Sequence, residues 1–207
     1  MERCRLPDYL TDKDEPTNRV RCPIHGFVHY SENERRLIDH PLFRRLRYIR
    51  QLALTEFVYP GANHTRLEHS LGVMDLATRG FDTLAAKRGD MMESALAKVP
   101  GFEDRPLAKA RQLIRLAGLL HDIGHASFSH AAEKVVNKGV GHEELTRVIV
   151  GEKNFLADEL DRTFWAGCGK EVSDLIKAGR EYPPQLQIRC FGISDVREMS
   201  GCAVLNT

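Results

Sequence analysis

The feature that most constrains the fold is a set of apolar residues that recur at three- and four-residue intervals along most of the chain. The clearest amphipathic helix is expected from about 107 to 121. Its core-facing positions are Leu113, Leu116, Ala117 and Leu120. Its expected water-facing positions are Lys109, Arg111, Gln112 and Arg115. This spacing is typical of a helix with one buried face, and it does not fit the two-residue alternation of a strand.

The same spacing predicts helices upstream. Ser31 and Glu34 have the spacing of a capping box, so we expect a short helix that ends near Pro41. A second helix with a basic outer face is expected over Leu42, Leu46 and Ile49. A long helix is expected over 66–88 and should stop at Gly89. The inner row of this long helix is predicted to be His69, Val73, Leu76, Ala77 and Leu84.

Downstream, helices are expected over 128–136 and 142–150, and two more near 156–164 and 172–176. Residues 23–30 are apolar enough for a short strand or hairpin arm. We therefore predict an all-α fold with a short irregular N-terminal segment. Its expected divisions are an irregular leader over 1–22, a helical domain over 23–182 with its core at 42–150, and a diverged or truncated tail over 183–207.

Composition narrows the class of protein. The chain has 30 Lys and Arg against 29 Asp and Glu, so a strong overall attraction to polyanions or membranes is not expected. The five cysteines include no CxxC pair, which favours reduced thiols over a disulfide framework. No run approaches the roughly 20 apolar residues of a membrane helix. We expect a cytoplasmic protein without membrane contact. The arginine-rich stretch at 35–50 leaves nucleic-acid binding open, although such a cluster is more often a solvated helix face.

Histidines and one aspartate mark a candidate metal site. Four of the nine histidines lie close together in sequence, at His121, His125, His130 and His142. Asp122 follows His121 directly after the apolar face of the 107–121 helix, and His69 lies on another helix. Neutral imidazoles and ionised carboxylates are good ligands for divalent cations. A single buried histidine is more often a core residue. Two of them beside a carboxylate are costly to desolvate unless they share a metal or a function.

At these residues the sequence resembles a known family. Residues 56–72 (EFVYPGANHTRLEHSLG) and 118–130 (GLLHDIGHASFSH) resemble the deoxynucleoside triphosphate triphosphohydrolase branch of the HD superfamily of metal-dependent phosphohydrolases. Residues 22–26 and 42–52 resemble the entry segment of that branch. The resemblance implies a helical HD fold. It also implies hydrolysis of deoxynucleoside triphosphates to deoxynucleoside and triphosphate, and association into homo-oligomers.

The resemblance also implies roles for individual residues. His69, His121 and Asp122 would hold a divalent ion (Mn, Mg, Fe or Zn), and His125, His130 and His142 would assist catalysis. Arg66 would contact phosphate, and Gln51 and Leu52 would contact the nucleotide sugar. The family's downstream aspartate motif is missing here, which leaves Asp195 as the candidate fourth ligand.

Two alternative functions follow from these observations. One is an HD hydrolase that acts on a monophosphate or a cyclic nucleotide. The other, motivated by the missing aspartate motif, is a truncated module that binds nucleotide without hydrolysing it.

Overall fold

A computed structural model of the chain describes residues 7, 9–10, 16–127, 141–153 and 156–177. Within these ranges the chain is mainly helical, which confirms the all-α prediction. The helices are α1 (Glu32–Asp39), α2 (Pro41–Arg44), α3 (Arg66–Leu96), α4 (Pro106–Leu120), α5 (His142–Gly151), α6 (Ala157–Thr163) and α7 (Cys168–Lys177). Short 3-10 turns occur at Arg45–Tyr48 and Thr55–Phe57. The predicted helix at 128–136 and the tail at 183–207 lie outside the described residues, and the domain divisions stay predictions.

A two-stranded hairpin precedes the helices. Strand β1 (Asn18–Cys22) pairs antiparallel with β2 (Gly26–Tyr30), so that Val20 faces Val28. Val28 is completely buried and anchors the hairpin on the helices. The expectation of a strand or hairpin arm at 23–30 is confirmed. The expectation that 1–22 is wholly irregular is wrong for its last five residues, whose alternating burial is that of an ordinary strand.

The capping box predicted for the first helix is present. The backbone N–H of Glu34 donates to the Ser31 hydroxyl, and the backbone N–H of Ser31 donates to the Glu34 carboxylate at 2.9 Å. The second predicted helix is shorter than expected. It consists of α2 and a 3-10 turn, and the backbone becomes extended at Ile49. Extension is required there because Arg50 forms an isolated β-bridge with Thr65.

Helix α3 differs from its prediction in two respects. It continues past Gly89 to Leu96, with a kink at Arg88, because Met92 and Leu96 beyond the kink are buried in the core. The predicted inner row is also displaced around the helix. Leu76 is exposed, whereas Met74, Thr78 and other neighbours face the core. The positions that face the core are Leu67, Ser70, Leu71, Met74, Thr78, Phe81 and Ala85.

The predicted bounds of helix α4 are confirmed, but the prediction of its water-facing side is wrong at one residue. Arg115 is buried rather than exposed to water. Its guanidinium donates from Nε and Nη2 to the two carboxylate oxygens of Glu34, at 2.7 and 2.8 Å, and from Nη1 to the Thr78 hydroxyl at 2.7 Å. Arg115 therefore links α4 to both α1 and α3. A charge pair buried at that depth is tolerated only because its hydrogen bonds are satisfied.

The core lies between α3 and α4 and extends to α5, α6 and α7. Its fully buried side chains include Met74, Leu116, Leu119, Leu120, Ile123, Val150, Leu160 and Val172. Burial of each such side chain stabilises the fold by about 1.5–3 kcal/mol. Gly118 allows the α3 and α4 backbones to approach closely, since a Cβ there would lie 3.1 Å from Cα of Met74. This packing brings the start of α3 next to the end of α4.

Among the described helices, none combines the length and the apolar character that a membrane crossing requires.

Candidate metal centre

Three side chains converge where the start of α3 meets the end of α4. Nε2 of His69 lies 3.2 Å from Nε2 of His121. The Asp122 carboxylate places Oδ1 at 3.3 Å from Nε2 of His121 and Oδ2 at 3.6 Å from Nε2 of His69. The predicted metal ligands His69, His121 and Asp122 are therefore brought together by the fold.

Local structure explains how each ligand is held. The Thr65 capping box with Glu68 starts α3, which places His69 in its first turn. His121 is the residue at which α4 ends, and Asp122 follows in the turn. Nδ1 of His121 donates to the carbonyl of Gly118 at 2.9 Å. That bond leaves the lone pair of Nε2 directed toward His69 and Asp122, which is the usual way in which a ligating histidine is oriented.

The electrostatics keep these groups in the protonation states that bind metals. Burial, reinforced by the charge of His121, lowers the pKa of His69 to about 4, so its imidazole is neutral near neutral pH. Burial alone would raise the pKa of Asp122. Electrostatic interactions with His121 and Arg66 outweigh burial and hold that pKa below its ordinary range. The His69 imidazole is therefore neutral and the Asp122 carboxylate ionised, which are the forms in which these groups bind a metal.

The spacing of these atoms fits one divalent ion. Two neighbouring ligand nitrogens at about 2.0–2.1 Å from an ion lie roughly 2.8–3.0 Å apart in octahedral geometry and roughly 3.3–3.4 Å apart in tetrahedral geometry. The 3.2 Å between the ring nitrogens of His69 and His121 lies between these two separations. All three ligand atoms lie within 4.8 Å of one another. A set of two imidazoles and one carboxylate suits transition-metal ions and leaves coordination positions open for water or substrate.

His125 and His142 form a second pair of histidines next to Asp122. Nε2 of His125 lies 3.6 Å from Oδ1 of Asp122. The rings of His125 and His142 stack with centroids 3.7 Å apart and planes inclined by 13°. Imidazole lone pairs lie in the ring plane, so two stacked rings direct them in parallel rather than toward one point. Although these nitrogens and Asp122 lie within 4.8 Å of one another, the stacking disfavours binding of a second ion by both rings.

A close backbone contact seats His142. The N–H of Gly124 donates to the Thr146 hydroxyl at 2.9 Å, and that hydroxyl donates to the carbonyl of His121 at 3.1 Å. A Cβ on Gly124 would lie 2.2 Å from the carbonyl oxygen of His142 and 2.5 Å from the N of Thr146. Helix α5 can therefore approach the turn at residues 121–125 (the HDIGH turn) only because residue 124 is glycine.

The three predicted substrate-binding residues differ in their burial and in their distance from Asp122. Arg66 is only 3% exposed, and its Nη1 donates to Oδ2 of Asp122 at 2.6 Å. Its Nη2 lies 3.5 Å from the backbone carbonyl of Gln51, so Gln51 contacts Arg66 through its main chain. Leu52 lies on the adjoining turn and is exposed. The roles predicted for these three residues stay predictions.

Sequence reasoning missed two residues that support the site. Arg45, which the sequence assigns to an exposed basic stretch, donates from its guanidinium to the carbonyls of Ile123 and His125. Its signal was weak, because it is one of six arginines between 35 and 50. Thr146 was also missed, although it lies four residues after His142 on the same helical face. His130 and Asp195 lie outside the described residues.

Together the fold and the site define a helical protein with a candidate divalent-metal centre of two histidines and an aspartate at the junction of two helices. Residues 66–194, more than half of the chain, match the HD domain family. The chain belongs to this family, which confirms the resemblance seen in the sequence. The match begins at Arg66 and contains His69, His121 and Asp122.

Several relatives share this region. The chain is 42% identical over 111 residues to deoxynucleoside triphosphate triphosphohydrolase SAMHD1 of Bos taurus, covering 54% of this chain and 17% of that protein. It is 35% identical over 148 residues to the SAMHD1 homolog of Dictyostelium discoideum, covering 67% and 26%. It is 34% identical over 156 residues to the uncharacterized protein YwfO of Bacillus subtilis, covering 74% and 32%. The matched region spans about a third or less of the length of each relative.

Proposed function

We propose that this chain is a metal-dependent phosphohydrolase of nucleotides that converts deoxynucleoside triphosphates to deoxynucleoside and triphosphate. The observation that carries the proposal is the convergence of His69, His121 and Asp122, with 3.2 Å between the two ring nitrogens. The name of the bovine and Dictyostelium relatives supports the choice of substrate class.

The chain's own residues would divide the work as follows. His69, His121 and Asp122 would hold the ion, which, when bound, polarises a phosphoryl oxygen and lowers the pKa of bound water. Asp122 is kept ionised and oriented by Arg66, whose Nη1 donates to it at 2.6 Å. Because Arg66 is anchored in this way, its guanidinium would meet a phosphate oxygen from a fixed position, with little side-chain entropy left to lose.

The stacked histidines would supply the proton that the leaving oxygen accepts. His142 is partly exposed, so its ring can reach a leaving oxygen and donate a proton to it. His125 is completely buried beside Asp122, and its ring stacks on His142. We assign His125 to positioning His142, because the stacked contact holds the His142 ring in place. His130 retains its predicted catalytic role on the resemblance alone.

Product analysis tests the proposal. The purified chain is incubated with each deoxynucleoside triphosphate and Mn²⁺ or Mg²⁺, and nucleoside and phosphate products are separated by ion-exchange chromatography. We expect deoxynucleoside and intact triphosphate in equal amounts. We expect at least a 100-fold loss of turnover in His69→Gln, because the ion loses a ligand. His29→Gln is the matched control, since His29 is an exposed residue of β2 and is not one of the residues that converge at the metal centre.

Other outcomes would redirect the assignment. Turnover of monophosphates or cyclic nucleotides in place of triphosphates would keep the hydrolase and change its substrate. Nucleotide binding without turnover of any of these substrates would replace the hydrolase with a nucleotide-binding module. Equal turnover by His69→Gln and the control would refute the role given to the metal centre.

A further inference from the structure

Arg45 is a partly buried arginine whose guanidinium is held by backbone carbonyls. It donates from Nη1 to the carbonyl of His125 and from Nη2 to the carbonyl of Ile123. Burial lowers the pKa of Arg45, and within the described ranges no carboxylate pairs with it. Burial of a charge without a countercharge is costly. The two carbonyl contacts are therefore what keeps this side chain directed into the protein.

Both acceptors of Arg45 belong to the HDIGH turn. Helix α4 ends at His121, and the last carbonyls of a helix have no partner within the helix. A positive charge is favourable at that end, where the helix dipole is negative. The planar guanidinium fork holds two acceptors in a fixed geometry. Because the two acceptors lie on either side of Gly124 and directly follow Asp122, the fork fixes the backbone that carries the predicted carboxylate ligand.

The segment that carries Arg45 is also bonded to the other half of the metal centre. The N–H of Arg66 donates to the carbonyl of Ile49 at 2.8 Å, and the N–H of Gln51 donates to the carbonyl of His64 at 3.0 Å. Both bonds reach the start of α3, which carries the other predicted ligands' partner, His69, in its first turn. The segment therefore connects the start of α3 to the HDIGH turn.

Packing of α3 against α4 does not by itself fix the HDIGH turn. Asp122 lies beyond the last residue of α4, so its orientation depends on contacts made by the turn. In the described part of the chain, two side chains from other elements bond to the backbone of this turn. They are Thr146 from α5 and Arg45 from the 3-10 turn at Arg45–Tyr48. Only the Arg45 contact links the turn to the segment that is bonded to α3.

We infer that Arg45 is a positioning residue for the metal centre, which holds the HDIGH turn at the distance from α3 at which His69 and Asp122 share one ion. The inference rests on the metal centre of the proposed function and not on the choice of substrate. Arg45 touches neither the ion nor a reacting atom in this role. Residues that orient ligands from outside a metal site are typically worth about 10–100-fold in metal affinity or activity.

Titration of the full chain with Mn²⁺, followed by the electron paramagnetic resonance signal of the free ion, tests the inference without any substrate. We expect Arg45→Ala to raise the Kd for Mn²⁺ about 10–100-fold. Arg45→Lys keeps the charge but loses the planar fork, so its Kd should lie between those of wild type and Arg45→Ala. Arg44→Ala is the matched control, because Arg44 is the exposed neighbour of Arg45. Circular dichroism checks that each variant is folded.

Chemical rescue separates positioning from a general loss of stability. Guanidinium chloride, far below denaturing concentration, should lower the Kd of Arg45→Ala for Mn²⁺ several-fold. The free ion can occupy the place of the missing side chain and donate to the same two carbonyls. Sodium chloride at equal concentration is the control for ionic strength. A variant that is merely less stable would gain nothing from guanidinium, since this ion weakens folding.

Four results would overturn the inference. They are wild-type affinity for Mn²⁺ in Arg45→Ala, wild-type affinity in Arg45→Lys, an equal loss in Arg44→Ala, and a loss in Arg45→Ala that guanidinium leaves unchanged. If Arg45→Ala fails to fold, Arg45→Lys decides the question, because it retains the charge and most of the volume of the side chain.

The outcome is distinguishable from that of the proposed function. Binding of Mn²⁺ that depends on Arg45, without turnover of any nucleotide, would support the inference and refute the hydrolase. Turnover of deoxynucleoside triphosphates with unchanged Mn²⁺ affinity in Arg45→Ala would support the hydrolase and refute the inference. A wild-type chain that binds no Mn²⁺ would refute the inference together with the metal centre.

Discussion

Substitution of Gly124 by alanine probes the contact on which the second half of the site depends. The added methyl would lie 2.2 Å from the carbonyl oxygen of His142 and 2.5 Å from the backbone N of Thr146. Both are backbone atoms, so no side-chain rotation relieves the clash. A normal contact with either atom is above about 3 Å, so α5 must withdraw by about 1 Å. Withdrawal on that scale stretches the bond from the N–H of Gly124 to the Thr146 hydroxyl and moves His142 off His125.

The expected cost combines two terms. Overpacking at a buried contact costs about 1–3 kcal/mol, and a buried hydrogen bond lost at the same place costs about 1 kcal/mol more. We therefore expect Gly124→Ala to lower the free energy of unfolding by about 2–4 kcal/mol. For a chain of this size that corresponds to a fall in Tm of roughly 4–16 °C. Misplacement of His142 by about 1 Å should also lower turnover on the order of 100-fold.

Urea denaturation followed by circular dichroism measures the first effect, and turnover under saturating metal measures the second. Gly61→Ala is the matched control, because no atom lies within 4 Å of a Cβ at residue 61. We expect the control to stay within about 0.5 kcal/mol of wild type. The reasoning is refuted if Gly124→Ala matches the control in both stability and turnover, since α5 would then not rest on the HDIGH turn.

Three further substitutions test other parts of the account. Glu34→Gln leaves the Arg115 guanidinium buried without its countercharge, so urea denaturation should show a loss of about 3 kcal/mol at neutral pH. Burial raises the pKa of Glu34, but Arg115 outweighs burial and holds that pKa below its ordinary value. The stability that this pair contributes is therefore present above about pH 4.3 and is lost as the pH falls further. The difference in stability between wild type and Glu34→Gln should then disappear in acid. Thr146→Val removes the hydroxyl that bonds to both Gly124 and His121, and thermal denaturation should show a cost of about 1–3 kcal/mol. Asp122→Asn removes the anionic ligand, so the metal content of the purified variant should fall, and unchanged content would exclude Asp122 as a ligand.

Much of the fold could be predicted because helical periodicity is a local signal. The bounds of α4 and the positions of α5, α6 and α7 follow from apolar spacing, and α1 follows from the Ser31–Glu34 capping box. The failures occurred where tertiary contacts overrode the local pattern. Arg115 is buried because the Glu34 carboxylate on α1 accepts its hydrogen bonds. Helix α3 continues beyond Gly89 because Met92 and Leu96 are buried in the core. The sequence of one helix does not show which other helices will pack against it.

The site shows the same division. His121 and Asp122 are adjacent in the sequence, and His69 lies on the predicted inner row of another helix. The three residues could therefore be proposed as one centre. The stacking of His142 on His125 could not be predicted, because it depends on the approach of α5 to Gly124, 18 residues earlier in the chain. The burial of Arg66 against Asp122 was missed for a similar reason. A motif assigns the arginine to phosphate, whereas the structure places its guanidinium on the carboxylate first.

The central claim is that His69, His121 and Asp122 bind one divalent ion, and metal stoichiometry tests it most directly. The chain and its variants are loaded with Mn²⁺, desalted, and analysed by inductively coupled plasma mass spectrometry. We predict close to one ion per chain for wild type and for the His29→Gln control, and less than about a tenth of that for His69→Gln. Retention of a full equivalent by His69→Gln, or no bound ion in wild type, would contradict the account.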